Sequence, residues 1–271
     1  MKAEIHKIAK ISPDHSVVCI LGSDQVPGWL KLSRPEKDFV QIQLLAKGES
    51  IFINSYNRCI YLIRLKDGIS HHKIREELRR TAYNLRKLIK ENNHPELVIT
   101  SEKAYHGAVE DFTEGLLLSI YSFDKYKTNS QVGDNMKYPA KLLLNGEITD
   151  TDLKWLVDLT DAVYFTRDLI NEPVNHLNAE ALAGEIRKIG DLAGFSVEIL
   201  TKGKIEALKM GGLLAVNKGS IDPPAFSILE WHPDDCVNKK PVILVGKGVV
   251  YDTGGLNIKT GEHMAGMNGD M

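Results

Sequence analysis

At 271 residues the chain is long enough for two domains, each with its own core. Hydrophobic residues make up 43% and charged residues 26%, the balance of a soluble globular protein, and a net charge of −2 gives no reason to expect nucleic acid or an anionic membrane as partner. No segment reaches the ~20 apolar residues that a membrane helix requires, the opening MKAEIHKIAKIS lacks the apolar run of a signal peptide, and Cys19, Cys59 and Cys236 are odd in number and widely spaced, as suits a reducing cytoplasm.

Strands and helices alternate from the start. Ser16 to Leu21, Ile51 to Asn54 and Arg58 to Leu65 are apolar and partly β-branched, which predicts strands. Ile74, Leu78, Ala82, Leu85 and Ile89 recur at helical spacing within Ile69 to Asn93, with Arg, Lys and Glu between them. The charged side of that helix, Lys73 to Lys90, mixes both signs and reads as an ordinary wet face. Glu96 to Thr100 returns to strand, and Tyr105 to Tyr121 is a second helix facing inward through Ala108, Phe112 and Leu116. Asp124 to Lys137 is polar and reads as a surface excursion, and Lys141 to Leu144 as one more strand.

The pattern changes near Asn145-Gly146, which places a domain boundary between residues 1–148 and 149–271. Thr149 to Ile170 is a long amphipathic helix, with candidate caps at Thr149 to Thr151 and a stop at Asn171-Glu172-Pro173. Another helix runs from Asn178 to about Ala193 and ends at Gly194. Phe195 to Leu200 reads as strand, Lys204 to Met210 as a short helix, and Leu213 to Val216 and Phe226 to Trp231 as further strands. The alternation predicts a mainly parallel, helix-covered sheet here too.

The stretch Pro241 to Met271 concentrates the chemistry. Pro241 to Val245 has the length and branching of a strand buried on both faces, and it runs into Gly246-Lys247-Gly248, Tyr251-Asp252-Thr253-Gly254-Gly255 and finally Gly269-Asp270-Met271. Open α/β sheets place ligands at such a carboxyl end, and glycines let the backbone approach them. Carboxylates suit divalent cations, a lysine can ligate one as the neutral amine, and a protonated lysine nearby could stabilise an oxyanion. Metal-assisted hydrolysis is one reading of this set. Blander readings stand beside it, a Gly-Lys-Gly turn with a solvated lysine and a common Asp-x-Gly-Gly loop, and a phosphate-cradling loop is the sharper rival, although neither GxxxxGK[ST] nor GxGxxG is present. The nine histidines form no HExxH pattern, and His263 alone lies inside the stretch.

Val245-Gly246-Lys247-Gly248, Tyr251-Asp252-Thr253-Gly254-Gly255, Ile258-Lys259 and Met267 with Asp270-Met271 resemble the first metal-site segment of the leucyl aminopeptidases, the cytosol aminopeptidases of the M17 metallopeptidase family. Arg167 to Pro173 resembles the family's RDLxNEP segment, Met210 to Val216 with Gly219-Ser220 its MGxxLAVxxGS segment, and Glu114-Gly115 with Tyr121 to Lys127 a pattern late in its N-terminal domain. Thr253 stands where serine is common, and Asn268-Gly269 replaces a basic residue and its neighbour.

The resemblance implies an N-terminal α/β domain followed by the first half of an α/β metallopeptidase domain, with a mainly parallel central sheet and helices on both sides. It implies two divalent metal ions, Zn²⁺ or Mn²⁺, with Lys247 on one metal, Asp252 bridging both and Asp270 completing the Lys247 site. Lys259 would be the catalytic cation, and Met267 would line the pocket for the substrate's first side chain. The implied reaction removes a leucine-like N-terminal residue from peptide substrates in the cytoplasm, by a homo-hexamer without nucleic-acid or membrane partners. The family's remaining ligands and a catalytic arginine come from an NTDAEGR-type segment that is absent here, so the expectation is the front portion of a longer enzyme, inactive alone. A non-catalytic scaffold member and a small-ligand or nucleotide-binding module on the N-terminal domain are the other classes.

Overall fold

The structure is a computed structural model that describes residues 3–66, 68–102, 104–128 and 138–270, the side chains of 268 and 270 excepted. It divides into two compact units, Met1–Tyr164 and Phe165–Met271. A long helix, α4 (Asp150–Asn171), begins just after the boundary expected from sequence and runs across this division.

The first unit is built on a six-stranded sheet of β1 (Glu4–Lys7), β2 (Val17–Leu21), β3 (Ser50–Asn54), β4 (Cys59–Arg64), β5 (Glu96–Glu102) and β6 (Lys141–Asn145), in the order β1-β6-β5-β2-β4-β3. Every neighbouring pair is parallel except β3 with β4, which form an antiparallel hairpin. All of β2 is buried, because helices cover both faces and successive side chains point to opposite ones. On one face Val18, Ile20, Tyr61 and Ile99 share a core with α2 (His71–Glu91) and α3 (Ala108–Ser119), through Leu78, Ala82, Phe112 and Leu116. On the other, Val17, Cys19, Ile60 and Leu62 pack with Leu30 and with Val40 and Leu44 of α1 (Arg34–Leu45). Each such large side chain, fully buried, contributes about 1.5–3 kcal/mol, so these faces hold the unit together.

The helices α2 and α3 cross closely at Gly115. A Cβ there would lie 2.5 Å from Arg79 Cα and 2.6 Å from its carbonyl oxygen. Beside this contact the charged side of α2 departs from the wet face expected of it. Arg79 Nη2 reaches Asp111 at 2.9 Å and Glu114 at 2.8 Å, Arg75 Nε reaches Asp111 at 3.0 Å, and the Tyr105 hydroxyl donates to Asp111 at 2.6 Å. Asp111 sits inside the helix pair with its side chain only 3% exposed. A buried carboxylate demands such partners, and the arginines of α2 supply them.

Neither β1 nor α1 is evident in the sequence. β1 is a polar edge strand, and α1 is specified less by periodicity than by its start. Ser33 and Glu36 form a capping box, and Ser55 Oγ donates to the same glutamate at 2.5 Å. These hydrogen bonds, Ser55's foremost, hold the Glu36 carboxyl below its ordinary range. Asp124 to Thr128 belongs to the expected excursion, whose residues 129–137 lie outside the described ones.

In the second unit, α5 (Ala179–Ala193) starts at Asn178, whose Oδ1 accepts from the Ala181 amide at 2.9 Å, and stops at Gly194 in the left-handed region, φ 77°. β7 (Ser196–Leu200) and β8 (Phe226–Glu230) pair antiparallel, where parallel strands were expected. Between them lie α6 (Lys202–Ala207) and α7 (Gly211–Asn217). The latter corrects the strand expected at Leu213 to Val216: a short apolar run fits a helix as well as a strand, and here helical hydrogen bonding begins with Leu214 N to Met210 O at 3.1 Å. A second correction concerns Pro241 to Val245. This segment is unpaired, and Val242, Ile243, Leu244 and Val245 are 77–91% exposed. No described strand lies beside it to accept its amides, so its apolar run has the composition of a buried strand without the ladder that makes one. The chain ends in a single helical turn, α8 (Gly261–Met264), and a 3-10 turn, Met267–Asp270.

Candidate metal-binding and catalytic loop

The loop after the Pro241 segment folds back on itself around one carboxylate. Lys247 Nζ lies 2.9 Å from Asp252 Oδ2, and Lys259 Nζ lies 3.2 Å from Asp252 Oδ1 and 3.1 Å from the Asp252 carbonyl oxygen. The same lysine reaches Met267 Sδ at 3.0 Å. Asp252 Oδ1 also accepts the Gly254 amide at 2.9 Å, which fixes the carboxylate's orientation from its own turn.

Glycine makes the reversal possible. Gly254 has φ 91° and Gly255 φ 76°, and a Cβ on Gly254 would meet Asn257 O at 2.5 Å and Lys259 Cγ at 3.1 Å. The turn is closed by the Lys259 amide donating to Thr253 O at 3.0 Å. Two lysines twelve positions apart are thereby brought onto one oxygen pair.

Among the described residues two ammonium groups meet one carboxylate, with side-chain exposures of 52% for Lys247, 27% for Lys259 and 29% for Asp252. An ion pair this open contributes only about 0.2–1 kcal/mol. The arrangement can accept a ligand instead: an oxygen donor and a nitrogen donor converge at Lys247 and Asp252, and Lys259 supplies a positive charge beside them. Divalent ions take carboxylate oxygens and amine nitrogens of this kind, and usually four or more donors. Among the described residues no group of three His, Cys, Asp or Glu side chains gathers to complete such a set. The residues described therefore fit part of a metal's coordination shell.

Of the remaining residues singled out in the sequence, Asp270 lies in the closing 3-10 turn, and its side chain is outside the described residues. Met267 opens that turn, in contact with Lys259. His263 is exposed on α8, sharing a 2.7 Å hydrogen bond with Thr260 Oγ1. Glu114 and Gly115 serve the α2–α3 crossing described above. Sequence reasoning missed Asp111, Arg75 and Arg79, since nothing in a single helix's pattern tells which charges will be enclosed by another helix. Burial pushes the Cys19 thiol up to about 12, so it offers no thiolate nucleophile at neutral pH.

Residues 164–271 match the catalytic domain of the cytosol aminopeptidase family. The chain is 39% identical, over 178 residues, to a probable cytosol aminopeptidase of Chloroherpeton thalassium, an alignment covering 60% of this chain and 34% of that protein. The chain thus spans about a third of the length of the curated relatives it matches. Its fold is similar to the leucine aminopeptidase of Caenorhabditis elegans, with a TM-score of 0.72 and 21% identity over 99% of this chain and 56% of that one. It is also similar to a bottromycin maturation enzyme solved in complex with Mn, with a TM-score of 0.67 and 22% identity over 95% of this chain and 52% of that one.

Proposed function

We infer, for a chain related to the cytosol aminopeptidases through residues 164–271, that its terminal loop is part of the active site of a metal-dependent aminopeptidase. The observation that carries this reading is the convergence of Lys247 and Lys259 on Asp252 within 3.2 Å. In the intact enzyme Lys247, Asp252 and Asp270 would hold two divalent ions, Zn²⁺ or Mn²⁺. Bound there, the ions would supply an activated water and polarise the carbonyl of a peptide's first residue.

The chain's own residues do the rest. Lys247, as the neutral amine, and Asp252 would be the metal-holding side chains, in place of their ion pair with each other. Lys259, already fixed by Asp252 O and by Met267 Sδ, keeps its proton and stabilises the oxyanion that forms on the carbonyl. Met267, next to Lys259, borders the pocket for a leucine-like first side chain. Assembly as a homo-hexamer belongs to the same reading.

Asp252→Asn in the intact protein should abolish hydrolysis of leucyl peptides even with excess Mn²⁺ or Zn²⁺, and Lys259→Met should lower kcat by about a hundredfold or more while metal binding persists. Near-normal turnover in Asp252→Asn would defeat the assignment, and absence of turnover in the metal-loaded parent would favour a non-catalytic scaffold.

A further inference from the structure

An open surface cleft of about 400 Å³ in the first unit takes no part in the proposed reaction. It lies between the β1-to-β2 crossover, residues 8–16, and the 3-10 turn Gly28–Leu30, within the ~300–1,000 Å³ usual for small-molecule sites. Lys10, His15, Lys31 and Arg58 line it with Trp29, and among the described residues no carboxylate does. In a chain of net charge −2 this is a local excess of positive charge.

The wall is fixed by its own hydrogen bonds. Arg58 donates to Pro13 O at 2.7 Å and to Leu30 O at 2.6 Å, tying the crossover to the turn, and its charge also acts on Glu36. Asn145 Nδ2 donates to Ile8 O at 3.0 Å, and its Oδ1 accepts from Thr100 Oγ1 at 3.2 Å. His15 Nδ1 accepts the Ser12 amide at 3.2 Å, which in the neutral ring leaves the proton on Nε2 as a donor. Lys10 and Lys31 form no ion pair among the described residues. Trp29 keeps 39% of its surface exposed.

We propose that this cleft binds a small organic anion joining a flat ring to a phosphate group, the ring on Trp29 and the phosphate toward Lys10 and Lys31. Indole is a stacking surface for such rings. A phosphate monoester carries about −1.5 to −2 at neutral pH, which two ammonium groups match, where a single carboxylate would leave one uncompensated.

Isothermal titration of the chain with adenosine 5′-monophosphate tests the site, with adenosine and inorganic phosphate as separate arms. The nucleotide binds once per chain, each half alone binds at least tenfold more weakly, and the double variant Lys10→Glu/Lys31→Glu and Trp29→Ala each weaken the nucleotide at least tenfold. Melting curves of the variants check their folding, and Lys10→Met/Lys31→Met, which keeps the stems, replaces the charge reversal if that variant melts early. Absence of nucleotide binding, equal binding by either half, or affinity unchanged in folded variants would overturn the proposal. None of these residues belongs to the Asp252 loop, so either result leaves the aminopeptidase reading where it stands.

Discussion

Gly254 shows how much of the proposed site rests on one missing Cβ. With φ at 91° and Asn257 O only 2.5 Å from where a Cβ would stand, Gly254→Ala must open the turn that returns Lys259 to Asp252. The variant should cost the intact enzyme turnover at least tenfold while its melting temperature stays close to the parent's, because the loop is exposed and outside either core; unchanged kcat/KM would separate the turn from the chemistry. A different residue contributes to the response to acid. His94 is buried, its Nε2 is 2.7 Å from the Tyr61 hydroxyl, and burial lowers its pKa below the ordinary value. The folded state therefore prefers the neutral ring. That preference is fully felt above the unfolded pKa of about 6.5 and is lost as pH falls below it, since the unfolded chain then binds protons more readily. Urea midpoints should thus drop between pH 7 and pH 5 more steeply for the parent chain than for His94→Gln, which cannot titrate. Parallel midpoints in the two would remove His94 as the cause.

Elements differed in how plainly the sequence announced them. The two helices α2 and α3 and strands β2, β4 and β5 were legible because one face or both faces must be apolar, and periodicity records that directly. The polar edge strand β1 left no such record, and α1 went unread because its start is fixed by the Ser33–Glu36 cap rather than by a clear stripe. Leu213 to Val216 and Pro241 to Val245 misled for the reason that made them attractive: a few branched residues in a row state that a segment is apolar, and say nothing of whether a partner strand is there. Of the candidate site, the Gly-Lys-Gly and Asp-x-Gly-Gly spacing was visible, whereas the convergence of both lysines on one carboxylate needed coordinates. The α2–α3 crossing gives a test at this scale. Gly115→Ala would press a methyl into Arg79 backbone at 2.5 Å and force the helices apart. Loss of about 1–3 kcal/mol in urea unfolding is the expected result. A stability change below about 0.5 kcal/mol would mean that the helices can separate at little cost.

At the scale of the molecule, the first unit has a complete sheet with both faces covered, while the second has a two-stranded sheet and a largely exposed terminal loop. The chain spans about half the length of the solved relatives it resembles in fold. No helix among the described residues is long and apolar enough to cross a membrane. The metal reading is a proposal for the whole protein, in which Asp270 would join Lys247 and Asp252. The most direct measurement is anomalous diffraction from crystals of that protein soaked in Mn²⁺ or Zn²⁺. The account predicts metal peaks at about 2.0–2.3 Å from Asp252 oxygen and Lys247 Nζ, with the Lys247–Asp252 ion pair replaced. Occupied metal sites elsewhere, with Lys247, Asp252 and Asp270 all uncoordinated, would contradict it.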